Sequence, residues 1–228
     1  MNTLRLVVFD MDGTLIDSQD VIVEAMGRAF ARIDRPAPSA EQTRAIIGLS
    51  LDKAVSTIAP DLTPTQVTAG VAAYRQSFIE MREESGAEAA APMYPGAMAA
   101  LERLHSQDET LLGVATGKAR RGLDHAYASH GIGHFFVTHQ TADGHPSKPH
   151  PSMLHQALHD TGVEAKHAVM IGDTEFDIAM GKAAGFATIG VSWGYHSLDR
   201  IKAATPDFII DGYNELDATL ENIWQARS

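Results

Sequence analysis

The sequence predicts a doubly wound α/β protein carrying a helical insert, and three observations predict it. Short apolar runs rich in β-branched residues recur along the 228-residue chain, most of them followed by Asp, Gly or Thr. Helix-length segments separate the later runs. The first two runs, by contrast, lie about a hundred residues apart, where one βα unit takes roughly 30. Runs that are apolar on both faces suit strands of a parallel sheet covered by helices. Strands alternating with helices then give a Rossmann-like core.

Taken in order, the strands are Leu4–Phe9, Leu111–Ala115, Phe135–Val137, Ala168–Ile171, Ala187–Val191 and Phe208–Ile210. The helices between the later strands are Pro95–His105, Ala119–His130, Pro151–Asp160 and Thr174–Ala184. The long first interval reads as helical. Ile22, Met26, Ala29, Phe30 and Ile33 recur at three and four residues, forming one apolar stripe. Pro36 and Pro38 break it, and helical patterns resume at Glu41–Ile58 and Pro64–Glu84. Ser39 and Thr63 suit helix caps, and Pro64 suits a first helical position. Gly86–Pro95, rich in Ala and Pro, reads as a linker. The division expected is a catalytic core of 1–15 and 86–228 with a helical cap at 16–85.

Composition narrows the function. Hydrophobic residues are 44% and charged residues 21%, the balance of a globular domain rather than a disordered chain. A formal charge of −11 argues against nucleic acid or an anionic membrane as partner. With no cysteine, disulfides, thiolate metal sites and a thiol nucleophile are excluded. The N-terminal apolar run Leu6–Phe9 is too short for a signal segment or a span, so a cytoplasmic protein is expected.

In open α/β sheets, ligands bind beyond the carboxyl ends of the strands. There stand Asp10-Met11-Asp12-Gly13-Thr14, Thr116-Gly117-Lys118, Ser147-Lys148-Pro149 and Gly172-Asp173-Thr174-Glu175-Phe176-Asp177. Four acids, a hydroxyl and a lysine converging on one rim suit phosphoryl transfer, which needs a nucleophile, a proton donor and neutralising charge. Clustered carboxylates also suit Mg²⁺, a hard cation with oxygen ligands. Competing motifs fail. Gly113–Gly117 is one residue short of a P-loop, with Ala119 where a hydroxyl is needed. An EF-hand frame on Asp10 and Asp12 puts Val8 first and Gln19 last. No dinucleotide fingerprint or nucleophile elbow occurs.

Asp10-Met-Asp12-Gly-Thr-Leu15 resembles the first motif of the haloacid dehalogenase superfamily in its two-aspartate, phosphatase-type form. Thr116, Lys148 and Gly172–Asp177 match the second, third and fourth motifs in order and spacing. The resemblance implies Asp10 as nucleophile, Asp12 as general acid and then base, and Thr116, the Gly117 amide and Lys148 as phosphoryl ligands. It implies Mg²⁺ held by Asp10, the Asp12 carbonyl and Asp173, with Asp177 supporting the metal shell or orienting Lys148. Asp12 argues against a dehalogenase or a phosphonatase, and Lys53 does not fit a Schiff-base lysine. Tyr94-Pro95-Gly96 and Arg44–Gly48 resemble phosphoglycolate phosphatase-like members, the latter as a cap segment over the site, making Arg44 and Gly48 substrate-contact candidates. Gly117 departs from the Asn common after the motif-two threonine.

A small phosphorylated metabolite is the expected partner, with phosphoglycolate leading and pyrophosphate, nucleoside monophosphates and sugar phosphates as rivals. A β-phosphoglucomutase-type transfer and an idle regulatory protein on the same scaffold are the other readings, in a monomer or homodimer. Nine of the 11 histidines fall between His125 and His167. His155 and His159, at i and i+4, form too small a set for zinc and read as surface residues. Asp10, Asp12, Asp173 and Asp177 against Lys148 give a formal −3, which Mg²⁺ would bring to −1 and protonation of Asp12 to zero.

Overall fold

The computed structural model describes residues 3–85 and 91–227. Six parallel strands form one sheet in the order β3-β2-β1-β4-β5-β6. They are β1 (Arg5–Phe9), β2 (Thr110–Thr116), β3 (Phe136–Thr141), β4 (Ala168–Gly172), β5 (Ala187–Val191) and β6 (Phe208–Ile210). β1 is central, with Phe9 beside Val114 of β2 and Ile171 of β4. The chain runs outward from β1 in one direction and from β4 in the other. Asp10 therefore leaves β1 at the crevice where the winding reverses.

Alternation along β1 feeds two cores. Val7 and Phe9 join Leu101, Leu112, Ile171 and Trp224 on one face, while Leu6 and Val8 join Met153, Met170 and Phe186 on the other. Each large side chain so buried contributes roughly 1.5–3 kcal/mol. Helices α5 (Ala97–His105), α6 (Arg120–His130), α7 (Ser152–Thr161), α8 (Glu175–Ala183), α9 (Leu198–Ala203) and α10 (Leu216–Ala226) connect and cover the strands. β3 runs four residues past the expected Val137, because Thr138 and Gln140 are buried polar residues satisfied by Asp160. Phe135, expected in that strand, instead closes the preceding 3₁₀ turn.

Between β1 and α5 the chain forms α1 (Gln19–Arg32), α2 (Ala40–Arg44), α3 (Leu51–Ile58) and α4 (Pro64–Ser85). The α1 stripe buries Met26 and Phe30 against Val55 and Ala54, with Val71 and Tyr74 packed beside them. Ser39 closes a capping box with Gln42, and Thr63 exchanges bonds with Gln66. The single helix expected over Glu41–Ile58 is broken. Gly48 turns the chain at φ +100°, a left-handed conformation that costs glycine little, and Ser50 restarts it as the extended N-cap of α3. Two connectors carry the insert. Ile16 bridges Met93 antiparallel, with Asp17 N donating to Pro92 O and Tyr94 N to Leu15 O. Of the linker expected at Gly86–Pro95, residues 86–90 lie outside the described residues.

Candidate active site

Four strand ends bring Asp10, Asp12, Thr116, Lys148, Asp173 and Asp177 together, all but fully buried. Lys148 Nζ donates to Asp177 Oδ1 at 2.6 Å and lies 2.9 Å from Asp10 Oδ1. That second contact is a charge pair buried from solvent on both sides. Burial pushes the Asp10 carboxyl up to about 7, against the pull of Lys148 and with help from Asp177 and Asp12. Asp173 is likewise raised by burial and by the charges of Asp177 and Asp10. For Lys148, burial opposes the charge, but Asp10 and Asp177 outweigh it and hold the ammonium protonated.

Asp10, Asp173 and Asp177 each place a carboxylate oxygen within 4.8 Å of the others. The buried carboxylate oxygens that Asp10 and Asp173 bring together are hard donors of the kind a divalent cation takes. Asp173 is fixed for it by Thr14 Oγ1, which donates to Oδ1 at 3.0 Å, and by Tyr195 N, which donates to Oδ2 at 2.8 Å. Asp177 is otherwise engaged. Its Oδ2 accepts from Thr174 N and Oγ1 in the capping box of α8, and its Oδ1 from Lys148. It orients the lysine and closes the helix end at once.

Asp12 has two holders that motif reading passed over. Lys118 Nζ reaches its Oδ1 at 2.7 Å, and Ser18 Oγ donates to the same oxygen. Ser18 is the N-cap residue of α1, yet its hydroxyl makes no capping bond. An N-cap bond is worth about 1 kcal/mol, so its diversion to Asp12 is a local cost borne at the site. Tyr195 Oη accepts from Ser18 N at 2.7 Å and donates to Ile16 O. Thr14 O also accepts from Tyr213 Oη and Trp193 Nε1, so aromatic residues of the core lash the first connector. Lys118 follows Thr116 visibly in the sequence. Tyr195 lies 177 residues from Ser18 with no local signal.

A cavity of about 540 Å³ opens above Asp10 and Asp12, lined also by Thr116, Gly117, Lys118 and Gly48. Thr116 Oγ1 accepts from Lys118 N, leaving its own proton to give. Gly117 meets the insert directly: a Cβ there would lie 2.5 Å from Leu49 O and 2.6 Å from Gly48 O. That close approach accounts for a glycine at this position. Arg44 is not part of the lining and donates instead to Gln19 Oε1 at 2.8 Å. Lys53, His155 and His159 are exposed and line no part of it. Beside the rim, buried His196 accepts from Glu175 N through Nδ1 and donates to Ala45 O through Nε2, joining core to insert. Burial and the Arg200 charge lower it to about 4.

A crossover-reversed parallel sheet with a carboxylate cluster at its switch point, roofed by inserted helices, defines a class of hydrolase. The chain matches the haloacid dehalogenase-like hydrolase family over residues 7–191 and belongs to it. It is 38% identical over 92% of its length to a "Probable phosphatase IndB" of Dickeya dadantii (strain 3937), covering 91% of that protein. To a phosphoglycolate phosphatase of Vibrio parahaemolyticus serotype O3:K6 (strain RIMD 2210633) it is 33% identical, over 93% of this chain and 94% of the other. The crystal structure of a "predicted phosphoglycolate phosphatase" from Haemophilus somnus 129pt shares the fold. The TM-score is 0.82 at 24% identity, over 96% of this chain and 99% of that one. No helix among the described residues is long and apolar enough to cross a membrane.

Proposed function

We propose that this enzyme hydrolyses a small phosphomonoester through an aspartyl-phosphate on Asp10, within a core of 1–15 and 86–228 roofed by a helical cap of 16–85. The observation that carries this is the Asp10 carboxylate, buried at the end of the central strand with the Lys148 ammonium 2.9 Å from its Oδ1. A carboxylate held in place by a neighbouring ammonium keeps a second oxygen with which to attack phosphorus. Thr116, the Gly117 amide and Lys148 hold the phosphoryl oxygens. Asp12, steered by Ser18 and Lys118, gives its proton to the leaving alcohol and later takes one from the attacking water. Asp10, the Asp12 carbonyl and Asp173 would hold Mg²⁺, which supplies charge neutralisation to the phosphoryl group and its transition state. Counting Lys118, four carboxylates face two ammoniums, a formal −2 that one divalent cation cancels.

Phosphoglycolate is the candidate that the relatives' names bring forward; pyrophosphate, nucleoside monophosphates and sugar phosphates follow. The cap's contact with Gly117 supports closure that excludes bulk water during attack. Zero cysteine supports a reducing, cytoplasmic setting, and a monomer or homodimer is the assembly proposed.

The test is hydrolysis of p-nitrophenyl phosphate and a phosphometabolite panel with Mg²⁺, after EDTA, and by Asp10→Asn. EDTA should stop turnover and Mg²⁺ restore it. Normal turnover by Asp10→Asn refutes the nucleophile.

A further inference from the structure

A phosphoryl group seated on Asp10 would fill a small part of the cavity of about 540 Å³. That volume falls in the roughly 300–1,000 Å³ range that receives a drug-sized ligand rather than a two-carbon acid. The cap lines it with Ile22 and Met26 of α1, Ile47, Leu51 of α3, and Tyr74 and Phe78 of α4. Tyr74 and Phe78 lie one turn apart with rings 6.1 Å between centroids, tilted by 32°. Both are half-buried, so part of each ring is left for an occupant.

The charged lining residues stand at its solvent-exposed parts. Asp52 and Arg75 on the cap, and Arg121 and Asp143 on the core, are all exposed. Lys118 is already paired with Asp12. A carboxylate on the leaving group, set against these apolar side chains, would give up its water to apolar surface, a cost that an uncharged body does not carry. A ring or branched alkyl group would instead release water from apolar surface and take offset or edge contacts on the two rings.

We propose that the natural substrate is a phosphomonoester whose alcohol carries an uncharged aromatic or branched apolar body, seated on the Tyr74–Phe78 wall. This rests on the phosphatase reading and, within it, selects against phosphoglycolate. The wall discriminates by size and polarity, while Asp10 and its neighbours treat every phosphoryl group alike.

The experiment compares 2-phenylethyl phosphate with 2-phosphoglycolate, both esters of primary alcohols, on the Mg²⁺-loaded enzyme. The kcat/KM ratio should favour the phenylethyl ester by at least about tenfold, and Phe78→Ala should cut that ratio by about tenfold. Phe78→Leu, which keeps an apolar group, should restore most of it. Calorimetric titration with 3-phenylpropylphosphonate and 3-phosphonopropionate, which cannot be hydrolysed, should give the same order without turnover. Preference for the carboxylate member in either assay overturns the proposal, as does a ratio unmoved by Phe78→Ala. Retained binding order with neither ester hydrolysed supports the wall and refutes the phosphatase reading alone.

Discussion

Replacing Asp10 by Asn should inactivate the enzyme and yet stabilise it when no metal is bound. The Asp10 carboxyl is raised from 3.8 to about 7 by burial. Below pH 3.8 it is neutral in both folded and unfolded chains and costs nothing. As pH rises toward 7 the unfolded chain releases the proton first, so folding stability falls, and above 7 the loss is complete. A rise of that size sets a ceiling of roughly 4 kcal/mol. Asn removes that cost but takes a charge partner from Lys148, which keeps Asp177 at 2.6 Å. A net gain of about 1–2 kcal/mol is expected, or roughly 3–6 °C in Tm for a chain of this size. The assay is thermal unfolding in EDTA from pH 4 to 9. The advantage of the variant should grow between pH 4 and 7, flatten above 7, and shrink when Mg²⁺ stabilises the wild type. A variant less stable than wild type at pH 8, or a difference independent of pH, would refute the reasoning.

Other expectations concern the groups around that carboxylate. Gly117→Asn places a side chain where Gly48 O and Leu49 O now sit; kcat/KM should fall by at least about tenfold through a displaced cap, with Tm nearly unchanged. Ser18→Ala frees Asp12 from one of its holders. Turnover of alkyl phosphates, which need a protonated leaving group, should drop about tenfold while p-nitrophenyl phosphate is little affected; equal losses on both would count against a steering role. Tyr195→Phe should repeat that pattern more weakly, since it acts through Ser18. His196 is lowered from 6.5 to about 4 by burial and Arg200, despite the nearby Glu175 and Asp177 carboxylates. Its contribution is present above pH 6.5 and lost as pH falls toward 4, by up to about 3 kcal/mol. Protonation would set an Nδ1–H against the Glu175 N–H it now accepts from. His196→Gln should flatten the Tm–pH curve between 4 and 6.5 relative to wild type, and an unchanged slope would remove the assignment.

β1, β2, β4 and β5 were legible because they are largely apolar runs buried on both faces, which chain patterning alone reveals. β3 escaped in part because Thr138 and Gln140 are paid for by Asp160, a partner 20 or more residues away. The break between α2 and α3 was hidden because apolar spacing continues through the Gly48 turn toward Leu49 and Leu51. Motif residues at strand ends were legible because topology, not detail, brings them together. Ser18 and Tyr195 were not: a serine before a helix reads as a cap, and only the folded chain shows its hydroxyl turned to Asp12. Arg44 had the sequence neighbourhood of a substrate contact, yet α2 turns it toward Gln19.

Tyr195 joins two things usually described apart. Its amide holds Asp173, and its hydroxyl holds Ile16 and Ser18 on the connector that leads into the inserted helices. A single residue thus spans the proposed cation ligand and the hinge. If charge neutralisation at Asp173 shifts that amide, the hinge feels it, and the two equilibria share one coupling free energy. Such coupling runs both ways. Whatever the cation gives to closure, closure must return as a tighter hold on the cation, so affinity for the metal would rise with substrate in place and relax on product release.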